Sequence, residues 1–132
     1  MAKIFSMSDA ASIAIHSMVL IARAESGINA VKIAEFTGFS KNHISKVCQR
    51  LVKNDLLKSF RGPTGGFTLK RSPEKITLLN IYESIEGTME ITDCPFENEV
   101  CNFDKCLMVN VVNKLAVEFK NFLHKQTLKD YL

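Results

Sequence analysis

Residues 39–71 read FSKNHISKVCQRLVKNDLLKSFRGPTGGFTLKR, and within this stretch the period of the chain changes. Ser40 is an N-cap by type. After it, Ile44, Val47, Leu51 and Val52 fall at spacings of three, four and one, a single helical stripe. The other face carries Lys41, Asn42, His43, Lys46, Gln49, Arg50 and Lys53. From Leu57 the pattern becomes two short β-capable runs on either side of GPTGG, whose proline and glycines demand a turn. Leu57 and Ser59, and Phe67 and Leu69, can alternate in and out of such a hairpin.

Immediately upstream, NAVKIAEFTG (29–38) supplies a second short helix. Asn29 is a fair N-cap, Val31, Ile33, Ala34 and Phe36 are its apolar positions, and Gly38 fits a left-handed C-terminal cap. Two short helices joined by a tight glycine-containing turn form a helix-turn-helix, although any helical hairpin shares that outline. The polar face of the second helix favours the former, because its side-chain types are those that meet bases and phosphates. A basic hairpin directly after a helix-turn-helix is the wing of a winged helix. Its tip carries Arg61 and Thr64 with little bulk, which suits entry into a minor groove. Lys70 and Arg71 lie at its base. Further upstream, residues 8–26 read as a helix capped by Ser8, with Asp9 in the first turn, a buried side at Ile13, Met18, Leu20 and Ile21, and a stop at Gly27.

Charge follows the same division. The net charge of the 132-residue chain is only +3. Residues 1–40 hold three basic and three acidic groups, residues 41–75 nine and two, and residues 76–132 five and nine, or 0, +7 and −4. A basic middle block points to a polyanion, most simply nucleic acid, or else to a solvated charged face. The N-terminus has no basic region leading into an apolar run, so no signal peptide is expected. No apolar stretch of about 18 residues suits a membrane span. A reducing, cytoplasmic setting is therefore expected, where clustered cysteines serve metal binding or redox chemistry more often than disulfides. No Ser-His-Asp set, glycine-rich phosphate loop or carboxylate pair points to an enzyme.

Downstream of the hairpin, ITLLNIYESIEG (76–87) is a helix capped by Thr77, striped by Leu78, Ile81, Tyr82 and Ile85 and closed by Gly87. Then comes CPFENEVCNFDKC (94–106), with Cys94, Cys101 and Cys106 spaced C-x6-C-x4-C beside Glu97, Glu99 and Asp104. Soft thiolates suit iron–sulfur clusters, zinc or copper(I). A loop can gather three thiols over this span, whereas a regular helix or strand cannot. From about residue 105 a long helix is predicted, with Met108, Val111, Val112, Leu115, Phe119, Phe122 and Leu123 as one stripe. That face exceeds what one small domain needs, so a helix of a second chain is its natural cover, with packing on its own domain as the alternative. Cys48 sits beside Val47 and Leu51 and reads as a small buried core residue. His16 and His124 read as packing or surface residues.

The order helix, helix-turn-helix, RGPTGGF wing, ITLLNIYESIEG helix, three-cysteine loop and long helix resembles, over essentially the whole chain, the iron–sulfur winged-helix transcription regulators that include IscR and NsrR. The resemblance implies a mainly α fold with a small β-hairpin wing. A DNA-binding winged helix-turn-helix would occupy residues 1–75, and a cysteine-loop sensor with a long dimerisation helix residues 76–132. It further implies a homodimeric repressor of a double-stranded DNA operator, carrying a 2Fe-2S or 4Fe-4S cluster on Cys94, Cys101 and Cys106. IscR-like members place a histidine shortly after the third cysteine, but Leu107, Met108, Val109 and Asn110 stand here. NsrR-like members resemble a design in which an aspartate at the start of the first helix reaches across from the other subunit, and Asp9 matches its place. A helix-dipole carboxylate is the plain alternative for Asp9, and a small molecule or solvent is the rival fourth ligand. The DNA contacts that the resemblance implies are Ser40, Lys41, Asn42, His43, Lys46 and Arg50 on the recognition helix and Arg61, Thr64 and Gly65 on the wing, with Asn42 the best base reader. Some members of the family lack a cluster, so zinc binding or thiol-redox sensing at the same cysteines is the competing expectation.

Overall fold

A computed structural model describes residues 2–3, 5–63, 65–91, 102–105, 107–108 and 110–132. Cys94, Cys101, Cys106 and Thr64 lie outside these described residues. Helix α1 (Asp9–Arg23) is followed by α2 (Ala30–Thr37), α3 (Lys41–Lys53), the strands β1 (Leu57–Phe60) and β2 (Gly66–Leu69), α4 (Leu78–Glu86) and α5 (Val111–Lys125). Short 3-10 turns at Pro73–Lys75 and Leu128–Tyr131 precede α4 and close the chain. No helix among the described residues is long and apolar enough to cross a membrane.

The ends of the helices follow from local chemistry. The Ser8 side chain accepts from the Ala11 N–H, Asn29 from Lys32 and Ser40 from His43. Thr77 and Asn80 exchange a full capping box at the start of α4. Gly38, at φ 81°, makes the left-handed turn between α2 and α3. Helix α1 stops at Arg23, ahead of the expected Gly27, because Glu25 already turns left-handed (φ 38°). The last helix begins at Val111 instead of near residue 105, since Asn110 at φ 58° breaks the helical path.

One core joins these elements. Ile13, Met18 and Ile21 of α1 pack with Ile33 of α2, Ile44, Val47, Cys48 and Leu51 of α3, and Ile81 and Ile85 of α4. The core runs on through Ile76 and Leu78 to Leu123 and Leu128, so it is continuous past residue 75. The closing segment docks by pairing: Leu78 N–H donates to the Gln126 carbonyl at 2.9 Å and Leu128 N–H to that of Ile76 at 3.0 Å. Not every apolar position turned inward. Phe36 is 74% exposed, beside a groove formed by Ile15, Val19 and Leu20 of α1.

Candidate nucleic-acid interface

The hairpin pairs Leu57 with Leu69, Lys58 with Thr68, Ser59 with Phe67 and Phe60 with Gly66. A third extended residue joins it. Ile28, just before α2, exchanges hydrogen bonds with Phe67 at 3.2 and 2.9 Å. The wing is thereby fastened to the entrance of the helix-turn-helix. Its tip presents Arg61, Gly62 and Pro63 to solvent, with Gly65 partly covered and its N–H donating to the Gly62 carbonyl. At the base, Lys70 Nζ lies 2.7 Å from Asp55 Oδ1, and this contact holds the Asp55 carboxyl below its ordinary range. Lys70 is thus engaged in closing the hairpin onto the end of α3.

Helix α3 turns Ile44, Val47, Cys48 and Leu51 into the core. Ser40, Lys41, Asn42, His43, Lys46, Gln49 and Lys53 remain exposed. Three cations and four hydrogen-bonding side chains exposed along α3, together with Arg61 on the wing, are of the kind that meets a phosphate backbone and base edges. Arg50 differs from its neighbours on this face. Its guanidinium donates to the Ile85 carbonyl at 2.6 Å, in the last turn of α4. A charged residue on a polar helix face signals solvent or DNA in sequence, and nothing local announces a carbonyl on another helix.

Asp9 occupies the first turn of α1 and is exposed. Next to it the Ser8 hydroxyl donates to Glu86, the last residue of α4, so the start of α1 and the end of α4 meet. From there the chain runs toward Cys94. Its first steps are held: Met89 N–H donates to Glu83 at 2.6 Å, and Lys120 Nζ on α5 reaches the Met89 carbonyl at 3.2 Å.

Cys48 takes no part in this surface. It is fully buried, and burial pushes its thiol up to about 12. The buried Ser17 hydroxyl, with no well-formed hydrogen bond among the described residues, works weakly the other way. A neutral buried thiol is a poor nucleophile. In a variant with Cys94, Cys101 and Cys106 replaced by serine, a thiol reagent is expected to label nothing in the native state and one thiol in denaturant. The raised native pKa also sets a pH window. This neutral thiol's contribution to stability is complete below pH 9, the unfolded value, and is lost as pH climbs from there toward about 12. A Cys48→Ala variant should lack that part of the alkaline loss in urea titrations.

A helix-turn-helix backed by an N-terminal helix and flanked by a hairpin wing, with a polar cationic recognition face, defines a winged-helix transcription regulator. Residues 7–132 match the Rrf2 family, described as "Iron-dependent Transcriptional regulator", and the chain belongs to that family. The HTH-type transcriptional regulator NsrR of Halalkalibacterium halodurans is 28% identical over 103 residues, 76% of this chain and 70% of that one. IscR of Sodalis glossinidius is 28% identical over 99 residues, 75% of this chain and 60% of the relative. Among solved structures, CymR (YrzC), the global cysteine regulator of B. subtilis, superposes with a TM-score of 0.78 at 22% identity, covering 96% of this chain and 95% of that one. T. potens IscR gives 0.75 at 25% identity, covering 96% and 85%.

Proposed function

We propose that this regulator is a homodimeric repressor whose affinity for a double-stranded DNA operator is set by an iron–sulfur cluster at Cys94, Cys101 and Cys106. The observation that carries the DNA reading is the exposure of Lys41, Asn42, His43 and Lys46 on α3 together with that of Arg61 at the wing tip. Ser40 caps the row, its hydroxyl accepting from the His43 N–H. Thr64 and Gly65 complete the proposed wing contact. Two such heads on a dimer would read half-sites about one helical turn, roughly 34 Å, apart.

The donor set suits a cluster, since three soft thiolates are the ligands that iron–sulfur centres take. Asp9 is proposed as the fourth ligand, and its exposure at the start of α1 leaves the carboxylate accessible. A cluster with an oxygen ligand offers a replaceable site to nitric oxide or oxygen. The chain's own part is mechanical. Glu83 and Lys120 hold Met89, so the stem of the cysteine segment is fastened to both α4 and α5. Displacement of that stem would pull on α4, which packs against both α1 and α3.

Protein purified without oxygen is expected to be brown, with iron and sulfide in stoichiometric amounts. Its footprint on a promoter duplex should differ from those of the iron-free and nitric-oxide-treated forms by about tenfold or more in affinity. Identical footprints would sink the sensing mechanism. A colourless protein with stoichiometric zinc would transfer the cysteines to a structural or thiol-redox role.

A further inference from the structure

Any α-helix ends with carbonyls that lack an intrahelical donor. In α4 the Gly87 N–H takes the Glu83 carbonyl at 2.9 Å. The next two are met from α3. Arg50 donates to the Ile85 carbonyl at 2.6 Å, and Asn54 Nδ2 reaches the Ser84 carbonyl at 3.5 Å while donating to the Arg50 carbonyl at 2.8 Å. The end of α3 therefore caps the end of α4. A guanidinium there also meets the negative end of the α4 dipole, and a charge-assisted bond of this length is among the stronger kinds. The side chains of Lys41, Lys46 and Lys53 of the same helix have no hydrogen-bond or ion-pair partner among the described residues.

We propose that Arg50 is a positioning residue that locks the recognition helix to the last turn of α4, the turn from which the cysteine segment departs, and is not a phosphate contact. It lies seven positions after His43, two turns along the same face of α3. A restraint there fixes the angle at which the first turn, with Asn42 and His43, meets the duplex. Losing it costs discrimination between sequences. Losing a phosphate contact instead weakens every duplex alike and lowers the salt dependence. The proposal rests on reading α3 as the recognition helix.

The whole 132-residue chain is used, with duplexes that the wild type selects from a random-sequence pool as the specific probe and a fixed scrambled duplex as the reference. Arg50→Met is expected to weaken the selected duplex about tenfold while the scrambled one stays within about twofold, with the log–log salt slope of the wild type. Arg61→Ala, the phosphate-type comparison, should weaken both and lower the slope by about one. If Arg50→Met behaves like Arg61→Ala, Arg50 touches DNA and the proposal is overturned. It is equally overturned if the variant, folded by circular dichroism at the assay temperature, binds both duplexes as the wild type does, since Arg50 then serves stability alone. A wild type that selects no sequence would overturn the reading of α3 itself, a result distinct from either of these.

Discussion

Replacing Leu115 and Phe122 together by glutamate is expected to turn the protein into a folded monomer with operator affinity reduced by about 100-fold or more. Of the apolar stripe on α5, only Leu123 is buried. Phe119 is used within the chain, its ring 4.8 Å from that of Phe5 and 5.7 Å from that of Tyr82. Leu115 is 52% exposed and Phe122 51%, and Val111, Leu107 and Met108 are exposed nearby. Phe122 and Val117 also line an open groove of about 530 Å³ along the helix. An apolar surface of this kind, rimmed by Lys114, Glu118 and Lys125, is one that a protein interface could cover, and the second copy proposed above is that cover. Because neither side chain is in the core, glutamate at both positions should leave the thermal unfolding of the monomer nearly unchanged. The loss of affinity arises because two linked heads bind as one unit, whereas a single head meets its half-site alone. Sedimentation and operator titration test it together: a double variant that stays dimeric and binds normally would remove α5 from the interface.

Gly66→Ala is expected to destabilise the fold by about 3 kcal/mol and to cripple DNA binding even where the protein remains folded. A methyl group at Gly66 would stand 2.5 Å from the Ile28 carbonyl oxygen and 2.9 Å from the Asn29 nitrogen. Both are backbone, so relief requires the wing to part from the segment entering α2. The Ile28–Phe67 hydrogen bonds that fasten it there would go with that movement. Gly38→Ala is the comparison. Nothing lies within 4 Å of a methyl group there, and only the left-handed backbone at φ 81° resists. Its cost should be near 1 kcal/mol. Urea titration of the two variants separates them, and equal losses would mean that the close approach of Gly66 to the Ile28 backbone adds nothing to the cost.

The helix-turn-helix was legible because its signals are local. Ser40, Asn29, Thr77 and Gly38 act within three or four residues of themselves, and each was found in the capping role that its type predicts. The stripe Ile44, Val47 and Leu51 became the buried side of α3 for the same reason, since periodicity alone decides which residues share a face. Phe36 shows the limit of that rule. Periodicity places it on an apolar side, but an eight-residue helix buries only the part that α1 and α3 reach, and Ala30 and Ile33 fill that part. The apolar pattern of the last helix starts near residue 105, while a single left-handed Asn110 delays the helix itself to Val111.

By itself, then, the order of residues determined the caps, the turns, the inward faces and the cysteine spacing, because each depends on neighbours a few positions away. Tertiary structure alone decided that Ile28 would extend the wing, that Thr127 would pair beside Thr77, and that Arg50 would cap another helix instead of facing outward with Lys46. Those contacts join residues far apart in sequence. Such partners are chosen by how the packed helices bring orphan backbone groups within reach, and neither member of the pair carries a mark of the other.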